Sequence, residues 1–536
     1  MSTRHVYNIT GMTCDHCAVT IKNALERLSG VSAEVSFEER KAIIDAPESL
    51  DPGILAETIR NAGYGLTDHE GSPDFAVIIG SGSGAFAAAI QLASSGKNVT
   101  MIERGTLGGT CVNIGCVPSK IFIRQAELAH HAAHGPFPGI SISDVVPDLP
   151  RLRRQQKDRV DALRASKYAH ILEIFPGIRF LKGTASFVDS RTLRVVCEDG
   201  TVQSITGDRI LIVSGARPAV PEIPGLADVP YWTSTEALKA ENLPEHLLVL
   251  GGGFVACELG QAFRRMGSNV TLFERGPGLL SGFDPDLGAG LKEAFSVEGI
   301  GVTTRIRIES VRYKGHRFTL STDQGFFTGD ALLVAAGRTP NTEGLNLGAA
   351  GVQTDVRGYI RVDDHLRTNV SHIYAAGDCT TLPPFVYVAA ASGTRAAANM
   401  LGDDQSLDVS LLPEVIFTDP AVAVVGMTEA QAGRRGLDVE VRVLGLDAVP
   451  RALANFDTRG FIKLVAEKGT GRLLGAHILA GSAGEMIQTA HLAILHQMTV
   501  QDLGDRLFPY LTMVEGIKLA AQSFTKEVAN LSCCAG

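Results

Sequence analysis

Phe75-Ala76-Val77-Ile78-Ile79-Gly80-Ser81-Gly82-Ser83-Gly84-Ala85 is an apolar strand running into a glycine-rich turn and then a helical stretch. A second strand, from Asn98 to Ile102, ends at Glu103. The pattern returns 171 positions later: Leu247 to Leu250 runs into Gly251-Gly252-Gly253-Phe254-Val255-Ala256, and Glu274 closes the next strand. Even the triplets Asn-Val-Thr (98–100, 269–271) and Glu-Arg-Gly (103–105, 274–276) match. Gly80 and Gly251 turn the chain sharply, Gly82 and Gly253 let backbone amides approach a pyrophosphate, and Ala85 and Ala256 keep helix and strand close. Free N–H groups at the helix start favour an anion, and Glu103 and Glu274 stand where an acid binds a ribose hydroxyl. One such motif is a weak signal. Two, each with its strand before and its acid after, predict two dinucleotide-binding units.

Composition agrees. The chain has 536 residues, 45% hydrophobic and 20% charged, with 58 glycines; at about 150 residues per domain, three or four domains are expected. It carries 49 Lys+Arg against 58 Asp+Glu, a net charge of -9, and no basic block, so an electrostatic nucleic-acid binder is not expected. No apolar run is long enough to span a bilayer. Met1 to Tyr7 lacks the apolar core of a signal peptide, which predicts a cytoplasmic protein. Nine cysteines in a reducing compartment point to metal or redox chemistry rather than a disulfide scaffold. Six of them pair in sequence, as Cys14/Cys17, Cys111/Cys116 and Cys533/Cys534. Cys197, Cys257 and Cys379 stand alone and are expected to be buried.

Residues 1–67 read as a separate unit. A strand at 6–9 leads into the loop Gly11-Met12-Thr13-Cys14-Asp15-His16-Cys17, followed by a helical stripe at Val19, Ala24, Leu25 and Leu28. Strands at 31–37 and 41–46, a helix at 52–62 and Gly63-Tyr64-Gly65 complete a βαββαβ order, a small ferredoxin-like sandwich. Residues 68–74 form a polar linker. Cys14 and Cys17, three positions apart at a helix start, can both reach one two-coordinate ion such as Cu(I) or Hg(II). In Gly108-Gly109-Thr110-Cys111-Val112-Asn113-Ile114-Gly115-Cys116-Val117-Pro118-Ser119-Lys120, two cysteines on a loop entering a helix can close a disulfide or hold one soft ion. Nearness to the helix start favours the thiolate. Adjacent Cys533 and Cys534 close a disulfide only with strain, but two thiolates on a terminal tail can hold a linear ion.

The segment 108–120 matches the redox loop of the flavin-dependent pyridine nucleotide–disulfide oxidoreductases, and the resemblance covers about residues 75 to 536. It extends to Ile210-Leu211-Ile212-Val213-Ser214-Gly215-Ala216-Arg217-Pro218 and to Leu332-Leu333-Val334-Ala335-Ala336-Gly337-Arg338, the strand ends joining two nucleotide domains. Ile373-Tyr374-Ala375-Ala376-Gly377-Asp378 is similar to the family's second flavin motif. The resemblance implies FAD at Gly80, Gly82, Ala85, Glu103, Gly109, Thr110, Lys120 and Asp378, and a nicotinamide cofactor at Gly251, Gly253, Glu274 and Arg275. It also implies a Lys120–Glu258 ion pair beside the flavin and Phe254 as an aromatic gate. Electrons would pass from nicotinamide to FAD to Cys116, with Cys111 facing the substrate. Residues 1–67 resemble the heavy-metal-associated domain.

Disulfide reductases of that family end in His-Pro-Thr-x-x-Glu, whose His protonates the leaving thiolate. Here Phe508-Pro509-Tyr510-Leu511-Thr512-Met513-Val514-Glu515 keeps Thr512 and Glu515 but puts Tyr510 where the His belongs. Tyr, with an ordinary pKa near 10, is a poor base at neutral pH, so an organic disulfide is the wrong substrate. With its three thiol pairs the chain resembles the mercury-reducing members of the family. That implies reduction of thiolate-bound Hg(II) to Hg(0) with NADPH in a homodimer. Cys14/Cys17 would collect the metal, Cys533/Cys534 of one subunit would relay it, and Cys111/Cys116 of the other would present it for reduction beside Tyr168 and Tyr510. Without the resemblance Tyr168 reads as a surface residue of an ordinary helix. Glu274 would repel a 2′-phosphate, but Arg275 beside it can compensate, and NADPH is the expectation, with NADH the other choice. Two other classes are a disulfide reductase with a fused metal-binding module and a metal-binding redox sensor.

The expected fold class is α/β: a metal-binding sandwich (1–67), a linker (68–74), an FAD domain (75–216 and 346–410), an NAD(P) domain inserted in it (217–345), and a C-terminal α+β dimerisation domain (411–536) bearing the Cys533-Cys534 tail.

Overall fold

The computed structural model describes residues 2–47, 50, 52–67, 74–140, 142 and 145–527. The chain divides into two compact units, Met1–Asp74 and Phe75–Gly536. Among the described residues no helix is long and apolar enough to cross a membrane.

The first unit is a four-stranded antiparallel sheet in the order Ser32–Ser36, Lys41–Pro47, Ser2–Thr10, Gly65–Thr67. Lys41–Pro47 alternates, with Ala42, Ile44 and Ala46 turned inward, as a half-buried strand must. Helices Asp15–Leu25 and Pro52–Asn61 cover that face with Ile21, Leu25, Leu55 and Ile59. Of the stripe expected at Val19, Ala24, Leu25 and Leu28, Leu25 is buried, Ala24 and Leu28 are partly buried, and Val19 lies off the buried face. Ala18, Ile21 and Leu25 are buried, whereas Val19 is 50% exposed. One residue of a helix is a rotation of about 100°, which carries Val19 off the apolar face.

In the second unit the two glycine-rich repeats lie in separate sheets. The first belongs to a six-stranded sheet ordered Ile373–Ala375, Val202–Ile212, Asp74–Ile79, Val99–Glu103, Ile178–Phe187, Thr192–Cys197. The second belongs to a four-stranded parallel sheet ordered Gly301–Thr304, Asn269–Glu274, His246–Leu250, Ala331–Val334. In each, the strand before the glycine turn is central and nearly all apolar, because helices cover both faces of such a sheet. The chain crosses between them through two short antiparallel strands, Ala216–Pro218 and Arg338–Pro340. A five-stranded antiparallel sheet follows, ordered Glu414–Ile416, Ala421–Gly426, Leu473–Ala480, Phe461–Glu467, Val439–Gly445. Of the lone cysteines, Cys257 and Cys379 are fully buried, but Cys197 is only half-buried. It ends Thr192–Cys197, a strand paired on both sides, just before the turn that leads into Val202–Ile212.

The two turns are geometric copies. Gly80 has φ +121° and Gly251 φ +124°; a Cβ would lie 2.3 Å from the Val213 carbonyl oxygen at the first and 2.4 Å from that of Ala335 at the second. Only glycine meets both conditions without strain. Gly80→Ala and Gly251→Ala should therefore each lose on the order of 1–3 kcal/mol from backbone strain alone. Gly82→Ala, where an added Cβ meets nothing within 4 Å, should lose less. Urea unfolding midpoints compare the three, and equal midpoints would contradict the steric argument.

Candidate active site

Two helices, Cys116–Ala133 and Phe254–Arg265, pack side by side, with Phe122 and Phe263 edge to face at 5.0 Å. Both begin in one cleft of about 1320 Å³. Cys111, Cys116, Gly82, Gly253, Glu274 and Asp378 all line it, so the expected redox pair and both expected nucleotide loops share one space. Gly80, Ala85, Glu103 and Gly109 are not among its lining residues. Cys111 is not on an open loop as the sequence suggested. It belongs to a short helix, Gly109–Ile114, and Cys116 opens the next helix after a break at Gly115.

That placement divides the charge of the pair. A hydrogen bond with Cys111 and the nearby Lys120 ammonium hold the Cys116 thiol down at about 7, against burial, which opposes them. Cys111 is pushed up, first by its bond with Cys116 and then by burial. The pair therefore shares one proton and one negative charge, which the Lys120 ammonium stabilises.

Lys120 lies one helical turn beyond Cys116 and on the same face. Its Nζ meets Glu258 Oε2 at 2.7 Å, tying one helix to the other across the cleft. The other carboxylate oxygen, Oε1, accepts the backbone N–H of Phe417 at 3.0 Å, and the Phe417 ring lies 4.5 Å from Lys120 Nζ. Further along the same helix, the Gln261 side chain donates to the Asp419 carbonyl at 2.7 Å and accepts its N–H at 2.8 Å. Arg265 meets the Asp419 carboxylate at 2.9 Å. Glu258, Gln261 and Arg265 thus fasten one helix face to residues 417–419. The Asp419 carboxyl also takes His131 and Arg459 and is held far below the ordinary range, the His131 hydrogen bond and the Arg265 and Arg459 charges overcoming burial. Neither Phe417 nor Asp419 carries a sequence signal; both are reached only through the third dimension.

The cleft suits two dinucleotides. Neither Gly82 nor Gly253, which precede the helices Ser83–Ser94 and Phe254–Arg265, brings a side-chain cap, and an added Cβ at either meets nothing within 4 Å. Uncapped N–H groups beside open space fit a pyrophosphate at each loop. Glu103 accepts the Ser81 hydroxyl at 2.7 Å. Glu274 accepts the Gly276 N–H at 2.6 Å. Beside Glu274 the cleft is lined by Arg275 and Arg305, and among the described residues neither guanidinium has an ion-pair partner. Asp378, raised by burial against the pull of Arg338, faces Arg338 Nε at 3.5 Å. That buried Nε has no hydrogen-bond partner, an orphan that fits a polar ligand there.

Tyr168 does not sit on an ordinary helix. Its turn, Ala165–Ala169, is a π-helical insert, a feature common at functional sites. The ring packs edge to face on Phe86 at 4.9 Å. Burial, and beyond it the charge of Cys111 and Cys116, raise its phenol, while a bond with Ser83 lowers it. Tyr168 therefore keeps its proton close to the thiols. Tyr510 is 54% exposed and does not line the cleft of its own chain. Cys533 and Cys534 lie outside the described residues. In the first unit, Cys14 Sγ and Cys17 Sγ are 3.8 Å apart, and Cys17 is lowered to about 6 by the Thr13 N–H and then by the Tyr64 hydroxyl. The Gly63-Tyr64-Gly65 turn was visible in sequence, though its reach to Cys17 was not.

Residues 75–393 match the family described as pyridine nucleotide-disulphide oxidoreductase, residues 412–521 its dimerisation domain, and residues 6–65 the heavy-metal-associated domain. The chain is 51% identical to a protein of Acidithiobacillus ferrooxidans named mercuric reductase, with 98% of each chain covered. It is 50% identical to one of that name from Shigella flexneri, covering 98% of this chain and 99% of that one. A solved structure, the Cu(II) complex of the HOCl-induced flavoprotein disulfide reductase RclA from Escherichia coli, is 31% identical with a TM-score of 0.78, over 85% of this chain and all of that one.

The Cys17 environment makes a pH prediction. Its pKa is depressed, so the thiolate is present above about 6 and is lost below it. Alkylation of Cys17 by iodoacetamide, followed by peptide mass spectrometry, should reach half its maximal rate near pH 6. Tyr64→Phe should move that midpoint upward. An unchanged midpoint would exclude the tyrosine as a cause.

Proposed function

The chain belongs to the pyridine nucleotide–disulphide oxidoreductases and, within them, to the mercuric reductases, and from that membership we propose that thiolate-bound Hg(II) is reduced to Hg(0) at Cys111 and Cys116 with NADPH and FAD. It is an NAD(P)H-dependent flavoprotein oxidoreductase acting on Hg(II). The observation that carries the site assignment is one cleft lined by the thiol pair and by both uncapped glycine loops. FAD would be held at Gly82, Thr110 and Asp378, and NADPH at Gly253 with Arg275 and Arg305; bound there, they supply the electron pair. The division of the second unit into an FAD domain, an inserted NAD(P) domain and a dimerisation domain belongs to the same reading.

Hg(II) arrives as a bis-thiolate complex, so capture is ligand exchange. The Cys116 thiolate displaces one external thiolate, and Cys111 displaces the second as its proton passes to the departing sulfur. Lys120 holds Cys116 in the form that attacks. Tyr168, kept protonated, donates a hydrogen bond toward the captured sulfurs. Two electrons on the bis-thiolate ion give neutral Hg(0) and leave two thiolates. The metal, no longer a soft Lewis acid, departs. Reduction of the metal takes up no proton, and Cys111 itself protonates the departing thiolate, which fits Tyr510 at the position where an organic disulfide would need an acid.

The dimerisation domain supports a homodimer. Leu507 is 96% exposed beside the half-exposed Tyr510, which supports a partner covering this segment and Tyr510 serving the partner's cleft. Delivery by Cys533/Cys534 across that interface, collection by Cys14/Cys17, and a cytoplasmic location, where thiols and NADPH are plentiful, complete the proposal.

Purified enzyme with excess thiol should consume NADPH continuously with Hg(II), and at a rate lower by at least about 100-fold with oxidised glutathione or lipoamide. Rapid turnover on either disulfide would overturn the substrate assignment. Arg275→Ala with Arg305→Ala should raise KM for NADPH about tenfold or more while leaving that for NADH nearly unchanged, since loss of two charge-assisted contacts to the 2′-phosphate costs one ligand only. Equal effects on both nucleotides would remove the 2′-phosphate role.

A further inference from the structure

Phe417 follows the strand Glu414–Ile416 and lies far in sequence from either helix of the cleft. It nevertheless touches both partners of the ion pair that joins them. Its N–H occupies Glu258 Oε1 at 3.0 Å, leaving Oε2 for Lys120 at 2.7 Å. Its ring centroid is 4.5 Å from Lys120 Nζ. The residue is 44% exposed and lines the same cleft as Cys116, so the ring is a wall of the cleft rather than part of the core.

Lys120 needs such a second partner. Its side chain is 35% exposed, and a partly exposed ion pair holds a flexible ammonium weakly, because water competes and chain entropy opposes. A ring face attracts the cation without demanding a single direction and keeps water from one side of it, biasing that geometry by roughly 2- to 30-fold. The position matters for redox chemistry, since Lys120 is four residues beyond Cys116 on one helix face. Reduction of the pair is S–S + 2 e⁻ + H⁺ → S⁻ + HS. It leaves a negative charge on sulfur, with the electrons coming from reduced pyridine nucleotide in the enzyme's own cycle. A fixed cation beside that sulfur favours the reduced side.

We infer that Phe417 is a positioning residue that holds the Lys120 ammonium against Cys116 and thereby sets the reduction potential of the Cys111/Cys116 pair. This rests on the reading of Cys111/Cys116 as the redox pair. Phe417→Leu removes the ring but keeps the backbone N–H to Glu258; Phe417→Tyr keeps both; Phe417→Met is a second ringless variant should leucine pack badly. The full-length proteins are equilibrated in dithiothreitol redox buffers, trapped by alkylation, and the Cys111 and Cys116 peptides counted by mass spectrometry. That readout follows the dithiol itself, so it does not depend on metal turnover. If wild-type Cys111 and Cys116 never form a disulfide, the redox-pair reading fails and this inference falls with it; if they do, only the variants decide.

The ringless variants should shift the equilibrium toward the disulfide by about 3- to 30-fold, a tenfold shift appearing as a potential about 30 mV more negative. Phe417→Tyr should stay within about twofold of wild type. In a Lys120→Met background, Phe417→Leu should add nothing. An unchanged potential in the leucine and methionine variants, an equal shift in the tyrosine variant, or a full further shift without Lys120 would each overturn the inference.

Discussion

The cleft depends on one contact, the Lys120–Glu258 ion pair at 2.7 Å. Each partner stands near the start of a different helix. One helix begins with Cys116 and the other follows the second glycine loop. Glu258 is nearly buried, and a carboxylate there is stable only with partners for its oxygens. Lys120 supplies one and the Phe417 N–H the other. Separating the helices would strand a buried charge, so electrostatics as well as the Phe122–Phe263 packing fixes the distance between thiol and nucleotide loop. The fastening continues through Gln261 and Arg265 to Asp419. The part of the chain that carries the dimerisation sheet therefore also holds the cleft in register.

The two described thiol pairs are tuned by different means. Cys17 is lowered to about 6 by backbone and hydroxyl donors at an exposed loop. Cys116 is lowered to about 7 by its partner thiol and a cation, while Cys111 is raised.

Much of the architecture was legible because it rests on local rules. The repeated strand–glycine–helix pattern, the βαββαβ order of residues 1–67 and the thiol spacing each depend on neighbours within a few tens of residues. Errors arose where a local rule left a choice. Val19 and Ile21 both fit an apolar stripe, and only packing selects the face. Tyr168 reads as helix surface because a π-helical insert has no spacing signature. Cys111 reads as loop because a six-residue helix, Gly109–Ile114, lies within the uncertainty of any short pattern.

The sequence by itself determined the residues on offer: two glycine-rich loops, three thiol pairs, and a tyrosine where a disulfide reductase needs a base. These are properties of residue type and short spacing. The tertiary structure alone decided how that chemistry is arranged. It joined Lys120 to Glu258 beside the thiol pair, brought Phe417 onto Lys120, and left Tyr510 away from its own chain's cleft. Such outcomes depend on distances of a few ångströms between residues far apart in the chain. Electrostatic and hydrogen-bond energies change steeply over those distances, and no local pattern encodes them.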